Sequence, residues 1–158
     1  MEDALSLVKR RPDMFPRQNG QHGRQPGLGL VEHLMRDALV YGNRACEVFQ
    51  AEEWWFVVSE TDWLLLGAHE DQVGDAFYQI IATPEIEDHG LRAEILLNAF
   101  ADAVWVIAPT GYKMIKGVEL QRDQLKRLID ARQLTRKWRR IVAFWVNAKP
   151  DTSGKPNI

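Results

Sequence analysis

The chain has 158 residues, enough for one domain with a substantial core, and its 46% hydrophobic and 27% charged residues are ordinary for a globular protein. A formal net charge of −2 gives no overall electrostatic case for nucleic acid or a membrane surface, and the single cysteine, Cys46, excludes an internal disulfide and suits a reducing compartment. Met1-Glu2-Asp3-Ala4 lacks the basic-then-apolar pattern of a secretory signal and no apolar run reaches spanning length, so a cytoplasmic protein without a membrane partner is expected.

In chain order, residues 2–10 read as a short helix with acidic residues at its start, closed by Arg11-Pro12. Residues 16–29 hold two prolines and four glycines and read as a loop. Leu30, Val31, Leu34, Met35, Ala38 and Leu39 then recur at helical spacing, and Gly42-Asn43 supplies a stop. Two strand-like runs, 47–51 and 54–59, join through Glu52-Glu53 as a hairpin. Val73, Ala76, Phe77, Ile80 and Ile81 predict a helix closed by Thr83-Pro84, and 91–101 predicts another. Residues 104–108 and 112–120 form a strand pair around Pro109-Thr110-Gly111. An amphipathic helix over 122–137 and a last strand over 139–147 follow. The order predicts an α+β protein: a two-layer sandwich of a mixed, mostly antiparallel sheet with helices on one face. One domain is expected over 1–149, followed by a polar tail over 150–158.

Several segments resemble, in order, the ATPase domain of DNA gyrase B, within the GHKL superfamily of Bergerat-fold ATPases. Ala4 to Phe15 resembles the helix that ends in an "RKRPGMYIG" stretch. Gly29-Leu30-Val31-Glu32-His33-Leu34-Met35 resembles the "GLHHLV" helix start, and Leu96-Leu97-Asn98-Ala99-Phe100-Ala101 resembles "VVNALS". Val104 to Gly117, with Gly111-Tyr112-Lys113, resembles the strand pair bearing a "DGK" turn. Ala143-Phe144-Trp145-Val146 with Lys149-Pro150-Asp151 resembles the closing "RFWPD" strand. The resemblance spans nearly the whole chain. It implies a Bergerat-like fold with the helices over 30–41 and 91–101 side by side, flanking a nucleotide cleft.

The positions that the resemblance makes chemical are altered. It aligns Asp37 with the glutamate that activates water and Tyr41 with the asparagine that holds Mg²⁺. The spacing of four puts both on one helix face. A neutral phenol is a poor ligand for Mg²⁺, and Asp37 is better read as a solvated helix charge. Glu60 falls on the adenine-binding aspartate, while Thr61 and Trp63 replace glycines that let the base approach bare backbone. In place of the glycine-rich phosphate lid stands a shorter segment, from about Gly67 to Arg92, in which Glu85, Glu87 and Asp88 would repel phosphate. No catalytic residue, no metal and no cofactor are expected.

Two surfaces remain. Trp54-Trp55 beside Glu52-Glu53 places one indole in the core and one outside if the strand alternates, which suggests an acid-ringed anchor for a basic protein partner. Segment 67–90, with Glu70, Asp71, Asp75, Glu85, Glu87, Asp88, Phe77 and Tyr78, offers a similar mixture. In the basic run Arg132, Arg136, Lys137, Arg139, Arg140, backed by Lys126 and Arg127, the spacing of four would put Arg132, Arg136 and Arg140 on one helix face; a solvated face is the preferred reading over a phosphate-tracking one. His22, His33, His69 and His89 show no metal-ligand spacing. The leading expectation is a non-catalytic protein-binding module of immunity or antitoxin type. A residual ATP-binding module using Asp37 and Glu60, and a nucleic-acid binder using 132–140, are the alternatives.

Overall fold

The computed structural model describes residues 3–11, 27–42, 45–64, 70–81, 92–134 and 137–147. The loop over 16–26, the acids Glu85, Glu87 and Asp88, the histidines 22, 69 and 89, Arg136 and the tail 150–158 lie outside them.

The elements run α1 (Ala4–Arg10), α2 (Leu28–Gly42), β1 (Cys46–Ala51), β2 (Trp54–Ser59), two single-turn 3₁₀ segments (Glu70–Gln72 and Asp75–Tyr78), α3 (Glu94–Phe100), β3 (Ala103–Ala108), β4 (Gly111–Lys116), α4 (Gln121–Arg132) and β5 (Arg140–Trp145). Helix α1 begins where Asp3 accepts from the Ser6 N–H at 2.8 Å, the ordinary aspartate N-cap. Gly27 precedes α2 with φ +84°, and a Cβ there would stand 3.2 Å from the rings of Trp55 and Phe144, so both backbone and space require glycine. The helix expected over 73–81 is instead the 3₁₀ pair. Gly74 interrupts it, and only Val73 and Phe77 are sunk in the core.

The protein is α+β, with four helices and a five-stranded sheet in the order β1-β2-β5-β3-β4. Every pairing is antiparallel. Side chains alternate along β2, β3 and β5 into two separate cores. Trp55, Val57, Val104, Val106, Val142 and Phe144 face Val8 of α1, Leu30, Leu34 and Ala38 of α2, and Ile95 to Leu97 of α3. Trp54, Phe56, Val58, Trp105, Ile107, Ile141 and Ala143 face Leu125 and Ile129 of α4, with the rings of Phe49 and Phe56 stacked 4.6 Å apart between β1 and β2. The expected arrangement with all helices on one face is therefore corrected. Helices α1, α2 and α3 share one face, and α4 covers the other. The reason lies in the three central strands, which are apolar at nearly every position and so need cover on both sides.

That double cover also corrects the expectation for Trp54 and Trp55. Strand β2 lies between β1 and β5, so the two indoles point to opposite faces as alternation demands, yet both are buried. Neither is an exposed anchor. Glu52 and Glu53 do remain exposed in the hairpin turn, where Glu52 accepts from the Gln124 side chain at 2.7 Å.

Helix α4 ends at Gln133, whose φ of 51° and ψ of 56° are left-handed, a conformation that disfavours a side chain. Gln133→Gly should raise stability by about 1 kcal/mol, read as a shift in the urea midpoint at unchanged slope.

Candidate functional site

The residues that the resemblance singles out come from three places: Asp37 and Tyr41 from the last turns of α2, Glu60, Thr61 and Trp63 from the turn after β2, and the start of α3 opposite them. Helices α2 and α3 lie on the same face and touch. Their contact is made by a carboxylate. Asp37, expected as a solvated charge, is 0% exposed: its Oδ2 accepts from the Ala93 N–H at 2.6 Å, and its Oδ1 accepts from Arg36 Nε and Nη2 at 3.2 and 3.1 Å. Helix α3 has no side-chain cap of its own, and Asp37 supplies one from 56 residues away.

Arg92 and Glu94 complete the cluster. The Arg92 Nε donates to both Glu94 oxygens at 3.2 and 3.1 Å, its Nη2 reaches Glu94 and the Trp63 carbonyl, and both side chains are buried. The same guanidinium lies 5.5 Å from the Tyr41 ring centroid, a cation–π contact. Tyr41 therefore faces a permanent cation. Trp63 is wholly buried in the core shared by α2 and α3, and its indole N–H has no acceptor among the described residues. Thr61 donates through Oγ1 to the Gly42 carbonyl at 3.0 Å. A Cβ on Gly42 would stand 2.5 Å from that oxygen, so the end of α2 closes directly on the β2 turn.

Glu60 is not part of this cluster. It lines an open concavity of about 420 Å³ with Thr61, Asp62, Lys137 and Arg139. Beside it Arg140, buried at the start of β5, donates from Nε to Asp62 Oδ1 at 3.1 Å and from Nη2 to Oδ2. The structure thus brings together Asp37, Tyr41 and Trp63 but leaves Glu60 on a separate, solvent-facing wall. The basic run is also divided. Arg132 closes α4 and pairs with Glu47 at 3.1 Å while lying over Phe49, whereas Arg140 belongs to β5 and is buried. The expected shared helix face does not form.

Sequence reasoning missed Arg92 and Glu94 as a pair, Asn98, which donates to the Phe77 carbonyl at 2.9 Å, and the Asp62–Arg140 bridge. The signal was present in Arg92-Ala93-Glu94 standing directly before the unbroken apolar run Ile95-Leu96-Leu97. Charges that enter such a helix must be paired as they are buried. Among the described residues no group of histidine, cysteine and carboxylate side chains could hold a metal ion. None of the described helices is long and apolar enough to cross a membrane. Comparison with protein-family models, with curated proteins and with solved structures found no match for this chain.

Burial raises the pKa of both Asp37 and Glu94 above the ordinary values of 3.8 and 4.5. At Asp37 the Ala93 N–H and Arg36 oppose that rise. At Glu94 Arg92 opposes it and the charge of Asp37 adds to it. Both groups hold their protons more tightly folded than unfolded. Their contribution to stability is thus greatest below the unfolded values and declines as the pH climbs from there through the folded ones. Asp37→Asn keeps an acceptor for Ala93 and removes the charge, so wild type should lose stability relative to this variant as the pH is raised above the ordinary carboxylate value of 3.8 in urea titrations. Arg92→Met strands the Glu94 carboxylate and should cost about 3 kcal/mol, much of it recovered in Arg92→Met/Glu94→Gln.

Proposed function

We propose that this chain is a non-catalytic, protein-binding module on a Bergerat-like fold of the gyrase B ATPase type, working in the cytoplasm as an immunity or antitoxin-type protein that neutralises a partner by direct binding. The single observation that carries the non-catalytic part is the state of Asp37. A general base must reach the water it activates, and this carboxylate is sealed from solvent with both oxygens engaged by Arg36 and Ala93. Tyr41 packs against Arg92 where the resemblance asks for a metal ligand, and Trp63 lies in the core where it asks for bare backbone.

The alternative of residual nucleotide binding needs Asp37 and Glu60 in one site, and they lie in different surroundings. The nucleic-acid alternative needs Arg132 and Arg140 free on one face, and each is tied to a carboxylate. A protein partner with no cofactor is the reading these contacts favour. The immunity or antitoxin role rests on analogy with small stand-alone binding proteins.

Calorimetry with ATP and Mg²⁺ should give no heat of binding up to about 1 mM, an affinity weaker than about −4 kcal/mol. Micromolar affinity, lost in Glu60→Ala or Asp37→Ala, would overturn the proposal.

A further inference from the structure

The binding surface expected at the hairpin lost its aromatic anchor when Trp54 and Trp55 proved buried, so the partner's docking site must be sought elsewhere. Charge is distributed unevenly along the chain. Of its 20 lysines and arginines ten fall between 111 and 140, against three of its 22 carboxylates. These residues form β4, α4 and the approach to β5. Among the described residues strand β4 is an edge strand, bonded to β3 alone, and its residues are exposed or half-exposed.

The register decides which main-chain groups of β4 are free. A two-residue turn joins Ala108 to Gly111, so this closing pair exchanges hydrogen bonds and pairs farther along alternate. Ile107–Tyr112 and Trp105–Met114 are then the non-bonded pairs. The N–H and C=O of Tyr112 and Met114 therefore point outward, away from β3.

Exposed apolar side chains sit beside that edge: Met114 at 40%, Val118 at 56% and Leu120 at 85% exposure. Helix α4 begins at the same place. Its Arg122 lies 6.0 Å from the Tyr112 ring centroid, and the exposed Lys126 follows one turn later. An unpaired strand edge, apolar side chains along it and cations above it are the components of strand addition by an acidic segment.

We propose that β4 is the docking edge for an extended, acidic segment of a partner protein. The segment adds as a sixth strand through the main chain of Tyr112 and Met114. Side chains of the segment on the α4 face cover Met114, Val118 and Leu120 with apolar groups and meet Arg122 and Lys126 with carboxylates. A protein segment is favoured over nucleic acid because apolar groups are interspersed with the cations, and Glu119, Asp123 and Asp130 stand among them. The inference rests on the protein-binding reading above and supplies its surface and partner chemistry.

The test is selection of a random nine-residue peptide library against the whole chain. Sequences that combine apolar residues with aspartate or glutamate at every second position should be enriched, and a selected peptide should lose affinity about tenfold as salt is raised past the physiological range. Hydrogen exchange of the Tyr112 and Met114 amides should slow about tenfold or more when it binds. Met114→Pro removes one outward N–H and should abolish binding; if that variant is misfolded by circular dichroism, Leu120→Asp, at a solvent-facing position, should weaken binding about tenfold at unchanged stability. Arg122→Glu/Lys126→Glu should shift enrichment towards basic peptides.

Failure to enrich peptides that combine apolar with acidic residues overturns the proposal. So does tight binding of a single-stranded or duplex oligonucleotide abolished by the same charge reversal, which would make the face a nucleic-acid surface. A dimer in sedimentation that Met114→Pro dissolves would assign the edge to a second copy instead. ATP–Mg²⁺ calorimetry on the same samples reads the non-catalytic proposal independently of these outcomes.

Discussion

Helix α3 is seven residues long, too short to persist on its own intrinsic tendency, and the rest of the α2-side layer depends on how it is held. Its first free N–H, at Ala93, is taken by Asp37 of α2. Its last carbonyls, at Asn98 and Ala101, accept from the Lys116 ammonium of β4 at 3.1 and 2.6 Å. Asn98 reaches across to the carbonyl of Phe77 in the second 3₁₀ segment. A helix whose ends are satisfied from two separate elements, and whose Asn98 side chain bonds a third, locks those elements to one another. The unpaired groups of a buried helix end are costly enough that these long-range bonds act as constraints on the layer.

One consequence is that the ground between α2 and α3 is closed. Arg92, Glu94, Tyr41 and Trp63 fill it with a paired charge, a cation–π contact and an indole. Buried ion pairs of this kind contribute little net stability compared with apolar packing, but removing one partner is expensive, so the arrangement resists piecemeal change. Such a cluster specifies geometry. It does not offer a proton acceptor to solvent.

The second consequence concerns the sheet. With α1, α2 and α3 holding one face and α4 the other, the apolar residues of β2, β3 and β5 disappear into two cores. Among the described residues the open features lie at the margins: the hairpin turn with Glu52 and Glu53, the concavity beside Glu60, and the edge at β4 with the start of α4.

Local signals sufficed for most of the elements, but not for the helix expected over 73–81, which is a pair of 3₁₀ turns. Apolar recurrence at helical spacing marked α2 and α4. The dense β-branched and aromatic runs marked β1 to β3 and β5, and Glu52-Glu53 and Pro109-Thr110 marked the turns, because these features act within a few residues. The unbroken apolar character of Trp54 to Val58 and Ala103 to Ile107 also carried the double cover of the sheet, since alternation would have marked one wet face. The fates of Asp37, Trp54 and Trp55, and Arg140 could not be read this way. A carboxylate on an amphipathic helix looks solvated until a distant helix end needs an acceptor. An indole looks exposed until both neighbouring strands and both covering layers are in place. Arg140 ends up buried because Asp62, 78 residues earlier, is brought beside it by the pairing of β2 with β5. Periodicity determined which residues form helices and strands. Burial, capping and ion pairing were decided by contacts between residues far apart in the chain, which exist only once the sheet order β1-β2-β5-β3-β4 has been assembled.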